Sequence, residues 1–222
     1  MRPDPLLTAR RIAAAAPVAA RDPEGEAVAV TAAVGEARRR RALILTIFII
    51  AMAQAMMVGL MAMTPLHLMH HAGTAELVGL TLSLHIAGMY ALSPVFGALA
   101  SRFGRLPVIA IGWVTLLVAI VCAYFAGPSH LLVQVAMILL GFGWGAVTVA
   151  GAALLTELTT LADRPRWQGR SDTCMSAAGA IAGALSGLVF AFGDYSFLAL
   201  VTGGLLALGA VASIQLAVFT RR

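Results

Sequence analysis

Six apolar stretches follow one another along this chain, and arginines fall only in every second connection between them. That alternation constrains the fold more than any other feature. A helix needs about 20 residues to cross ~30 Å of hydrocarbon. The stretches near 42–64, 77–100, 108–126, 131–156, 173–192 and 196–219 meet that need. Only 11% of the residues are charged and 60% are hydrophobic, whereas a soluble domain has about 25% charged. One buried core has no room for so many apolar side chains, so lipid must cover much of the surface. In lipid the backbone has to bond to itself, which leaves helices or a closed barrel. Barrel strands would alternate polar and apolar residues, and these runs do not. The expected fold class is all-α: a polytopic membrane protein with six transmembrane helices, 42–219, forming one bundle.

All fifteen basic residues are arginines. The connections 65–76, 127–130 and 193–195 hold histidines, Glu76 and Asp194 but no arginine. The connections 101–107 and 157–172 and the two ends hold every one of them. By the positive-inside rule both termini face the cytoplasm, with the protein in the cell membrane as a multi-pass chain. The net charge of +5 has no basic face with stacking aromatics beside it, so no nucleic-acid partner is expected. Residues 1–41 are rich in Arg, Pro and Glu with no apolar period, as in a flexible cytoplasmic arm. The arm ends in four arginines, Arg38 to Arg41, suited to an anionic leaflet. The segment "RRIAAAAPVAARDPE" has a signal peptide's basic-then-small order, but its middle is short and broken by Pro17. Residues 220–222 form a short cytoplasmic tail. Cys122 and Cys174 belong at opposite depths, too far apart for a disulfide.

Polar residues are shared unevenly among the spans. The first has Gln54, the second Ser83, His85, Tyr90 and Ser93, and the fourth Gln134, Trp144 and Thr148. The fifth has Ser176 and Ser186, with Asp172 at its mouth. Intramembrane polar groups face protein or a water-filled cavity. The first, second, fourth and fifth spans are therefore expected to line something, and the third and sixth to face lipid. Candidate cavity residues are Gln54, Met57, Met61, His85, Gln134 and Trp144. Gln54 and His85 fall near mid-membrane at ~1.5 Å per residue. His85 can exchange a proton near neutral pH and is the proton-coupling candidate; a neutral imidazole bonded to a neighbouring helix is the other reading. The stretch "MAQAMMVGLMAMTPLHLMHH" (52–71) has the soft ligands that copper favours. Its six methionines cover several helix faces, however, which fits adaptable apolar lining or packing better. No metal or cofactor is assigned, and His67, His70 and His71 read as solvated loop residues. Glycines spaced by four, Gly141 and Gly145, and Gly179, Gly183 and Gly187, allow close helix approach. Pro94 must disturb the second span. Glu157, Arg166, Arg170 and Asp172 could form a cytoplasmic charge network or stand as solvated loop charges. No catalytic constellation accompanies the "ALSG" at 184–187, so no enzyme is expected.

The stretch "GALASRFGRLPV" (97–108) carries a resemblance. It is similar to the loop signature between the second and third helices of each half in the major facilitator superfamily. Gly97, Leu99, Ala100, Arg102, Gly104 and Arg105 match it, while Ser101 stands where the aspartate belongs and Leu106 where a basic residue is common. "GFGWGAVTVAGAALLTE" (141–157) resembles the fourth helix of a half, and "RWQGRSD" (166–172) the entry to its fifth. Met137 occupies the slot where the amino-terminal half of drug/proton antiporters has an arginine, and the arm 1–41 resembles the central loop. The resemblance thus implies the carboxy-terminal six-helix half of such a transporter. It further implies a small organic solute and protons as partners, and a second six-helix half upstream, in a separate chain or in a second copy. A membrane remnant or interaction scaffold is the rival reading.

Overall fold

The computed structural model describes residues 23–221, with side chains placed for 34–219. Every element among them is a helix: α1 (Pro23–His70), α2 (Ala75–Ala91), α3 (Ser93–Phe103), α4 (Arg105–Tyr124), α5 (His130–Glu157) and α6 (Arg164–Arg221). Five helical stretches are long and apolar enough to cross a membrane, α2 and α3 together counting as one. Much of the expected arm lies outside the described residues, but 23–40 is helical rather than irregular. Proline in the first position suits a helix start, where its missing N–H costs nothing. In sequence Glu24 and Glu26 follow it, residue types that suit a helix start. Glu36 and Arg39 pair at 3.8 Å on that stretch.

From Arg41 onward the helices alternate in direction. On α1, Ile50 meets Gly151 and Thr64 meets Met137, so α5 runs antiparallel to it. On α2, Gly88 meets Ile138 and Met89 meets Gly145, so α2 and α5 run parallel. On α4, Gly112 meets Val147 and Leu116 meets Gly143, which is antiparallel again. The last helix is broken by non-helical angles at Gly193 and Asp194. Its limb 164–192 runs parallel to α1, with Gly179 against Gln54 and Gly187 beside Met63. Its limb 195–221 runs back, with Tyr195 at Thr64 and Phe219 under Arg41. A single continuous helix could not touch α1 in both senses, so α6 is a hairpin.

Three local causes explain the breaks. At the α6 reversal, a Cβ on Gly193 would lie 2.6 Å from the Phe197 ring, so only glycine fits. Asp194 takes a positive φ of 68°, which aspartate tolerates better than most residues. Its Oδ1 accepts from the backbone N–H groups of Ser196 and Phe197, capping the returning limb. In the second span Pro94 cannot donate, and the helix parts at Leu92 between α2 and α3. Ser93 donates its hydroxyl to the Met89 carbonyl there. At the motif loop Gly104 adopts φ 92°, open to glycine at no steric cost.

On α5, Gly141, Gly143 and Gly145 mark close crossings, whereas the series Gly179, Gly183 and Gly187 on α6 leaves more room. A Cβ on Gly141 would sit 2.5 Å from the His85 carbonyl oxygen, and one on Gly143 2.9 Å from the Leu116 nitrogen. Backbones approach directly at these two crossings, the arrangement that gives helices their contact in lipid. The core fills the space between with Met56, Leu60, Leu116, Met137 and Leu140. Expected lipid faces divide as an amphipathic surface does. On α4, Ile111, Val114, Leu117, Val118 and Val121 point outward while Ile109, Leu116 and Ala119 are buried. The third and sixth spans are therefore also packing elements: Trp113 donates its indole N–H to Ser213 on the returning limb of α6. Cys122 and Cys174 are both free thiols.

Candidate substrate cavity

Gln54, Trp144 and Tyr90 come together from three helices. Gln54 is half-buried on α1, and its Oε1 accepts from the Trp144 indole N–H on α5 at 2.7 Å. The ring of Tyr90, on α2, lies T-shaped to Trp144 with centroids 6.3 Å apart. Across from Gln54 the limb 164–192 presents Gly179, close enough that a Cβ would stand 3.3 Å from the Gln54 amide nitrogen. The first, second, fourth and fifth expected spans thus contribute to one wall. Each of the three polar side chains lies within about 3 Å of the middle of its expected span, at ~1.5 Å per residue. Met57 is buried in the core and Met61 is half-buried on the same helix. Gln134 lies near the first turn of α5, half-buried and away from that trio.

His85 sits elsewhere. It is wholly buried at the α2–α5 crossing, with Nδ1 2.7 Å from the Met137 carbonyl. A carbonyl only accepts, so Nδ1 carries the hydrogen. The other ring nitrogen, Nε2, is buried with no hydrogen-bond partner. In the neutral ring it is a bare acceptor, the kind of unsatisfied group that proteins rarely retain without use.

At the opposite end from the arginine loops, a cavity of about 540 Å³ is lined by His67, His70, His71, Phe190, Asp194 and Tyr195, among others. Sequence reasoning placed these histidines in a loop; they instead occupy the last turns of α1 and the residue after it. His67 is buried, stacked on Tyr195 at 4.3 Å, with Nε2 2.9 Å from the Gly127 carbonyl. Tyr195 in turn bonds Thr64. Pro65 inside the helix gave no stop signal because lipid-buried helices tolerate proline where neighbours satisfy the freed groups. Among the described residues no group of three or more His, Cys, Asp or Glu is placed to hold a metal ion.

At the motif loop, Arg105 donates to the Ala100 carbonyl and pairs with Glu157 at the end of α5. Ser101, in the place of the family's aspartate, turns back to the Gly97 carbonyl on its own helix. Arg102 is exposed over Phe103. Arg166 and Asp172 are exposed, and Arg170 lies over Trp167 at 4.8 Å. The four charges Glu157, Arg166, Arg170 and Asp172 are not joined to one another by any ion pair among the described residues; Glu157 finds Arg105 instead. The motif and the charge cluster were read as separate features, and spacing gave no sign that they meet.

An alternating bundle of long apolar helices, with a polar and aromatic cluster near the middle of its spans and an arginine clip at one end, defines a helical membrane-protein class of architecture. A profile for the Major Facilitator Superfamily matches residues 22–222. The chain belongs to that superfamily, whose members are transporters rather than enzymes. It is 36% identical over 209 residues to the uncharacterized MFS-type transporter YdeG of Bacillus subtilis, covering 94% of this chain and 47% of that protein. It is 35% identical over 210 residues to the MFS-type transporter YddS of the same organism, at the same coverage. The riboflavin transporter RfnT of Brucella anthropi is 28% identical over 160 residues, 69% of this chain and 38% of that protein. The chain spans about half the length of the two Bacillus relatives.

Proposed function

We propose that this chain is the carboxy-terminal half of a secondary active transporter that moves a small organic solute across the cytoplasmic membrane by alternating access. Export in exchange for protons completes the reading. Each limb of the α6 hairpin crosses once, giving six crossings with both ends cytoplasmic. A second six-helix half supplies the facing wall, and the two bundles rock about a solute held between them. The observation that carries this is the Gln54–Trp144 bond. A carboxamide and an indole on separate helices are kept at mid-depth, where polar groups are costly unless they face protein or a wet cavity. A relative named as a riboflavin transporter fits an organic solute. His85 is the proton-coupling residue of this half: its unpaired Nε2 accepts a proton without breaking the bond at Nδ1.

The test is flux in proteoliposomes that contain this chain paired with an amino-terminal six-helix half, with an imposed pH gradient and a panel of labelled organic solutes. Gradient-dependent flux is expected, lost in His85→Ala and strongly reduced in Gln54→Leu. Flux that persists in His85→Ala at normal protein levels removes the histidine from coupling. A folded, paired complex that moves no solute in the panel favours the scaffold reading.

A further inference from the structure

We infer that the part of the solute received by this half is an uncharged, flat heteroaromatic ring bearing carbonyl oxygens. The inference rests on the transporter reading above and concerns the chemistry of the Gln54 wall.

The amide of Gln54 has its orientation settled by its neighbour. An indole N–H only donates, so the atom 2.7 Å from Trp144 Nε1 is the amide oxygen, and it is taken. The amide NH2 is left with two donors and no protein partner among the described residues. Donors held without acceptors select a ligand that brings acceptor oxygens, because an analogue lacking them leaves the site unpaired.

Tyr90 supplies the flat surface. Its side chain is 60% exposed although it lies near mid-span, away from the interfaces where tyrosine usually sits. The T-shaped contact with Trp144 fixes the ring and occupies one side of it at most. A rigid, open aromatic face at that depth is a stacking platform. Charge is excluded by what surrounds it. The stretches 42–75, 77–101, 131–156 and 173–193 contain no Asp, Glu, Lys or Arg. The imidazole of His85 lies apart from this wall, at the α2–α5 crossing. An ionic group would be desolvated here with nothing to pair with.

Lumichrome, uncharged and flat with two ring carbonyls, is the probe. It is measured by equilibrium dialysis against the chain in lipid nanodiscs, beside the anionic 1-naphthoate and the cationic ethidium. Saturable lumichrome binding is expected, weakened roughly tenfold by Gln54→Leu and by Tyr90→Ala, and unchanged by Tyr124→Ala at the end of α4. Gln54→Glu provides a second variant: it keeps an acceptor for Trp144 but removes the NH2 donors, and should lose binding equally. Absent lumichrome binding, or binding indifferent to both Gln54 variants, overturns the inference. Tighter, Gln54-dependent binding of 1-naphthoate or ethidium also overturns it while leaving the transporter reading in place. The flux experiment judges that reading separately.

Discussion

Single atoms decide the close backbone crossings of this bundle. Gly141 faces the His85 carbonyl so closely that a methyl group would overlap it, and backbone cannot swing aside as a long side chain can. Gly141→Ala should therefore destabilise the chain by about 1–3 kcal/mol, the usual cost of over-packing. Thermal unfolding in detergent, compared with Gly204→Ala where open space surrounds the glycine, gives the measurement. Equal melting temperatures would contradict the close crossing. At this scale the sequence was partly legible. Gln54, His85 and Trp144 stood out because polar atoms are rare in apolar runs. Tyr195 and His67 did not, since a histidine near a span's end reads as solvated until a ring from 128 residues away is found stacked on it. Nothing in linear spacing reports such a contact.

Helix ends are governed by short chemical signals, and the reversal in α6 is the clearest. Gly193 provides room and Asp194 provides the cap, so the limbs 164–192 and 195–221 separate within two residues. Asp194→Ala removes both acceptor contacts and should cost about 0.5–2 kcal/mol, while Asp194→Asn should recover most of it. Chemical denaturation of the two variants in mixed micelles checks the order; an alanine variant as stable as the parent would mean that the cap is idle. That the chain is built of long apolar helices could be read from apolar length alone, because hydrocarbon thickness imposes it. The helical state of 23–40 was not legible in the same way. Its signals are Pro23 and two glutamates, and alanine-rich arms with scattered charge resemble unstructured linkers until a helix is nucleated beside them. The meeting of Arg105 with Glu157 was equally hidden, since fifty-two residues separate them.

For the whole molecule, the arginine bias predicts a direction that the helix packing alone leaves open. Single cysteines placed at Ser101 and at Ser129, in a Cys122→Ala, Cys174→Ala background, should label from opposite sides of the membrane. A membrane-impermeant maleimide on intact cells should reach only the Ser129 position. Labelling of both positions, or of Ser101 alone, would refute the expected topology. The alternating bundle and the family were legible because both rest on features that repeat: apolar length, glycine spacing and loop charge.

The most enclosed helix is α1, which touches α5 and both limbs of α6. All of those neighbours are encoded after it. During synthesis, then, Gln54, Thr64 and His67 must enter the bilayer before Trp144, Tyr195 and Gly127 exist to meet them. Chain order therefore leaves the polar groups of one early segment without their partners until the last hairpin closes over them.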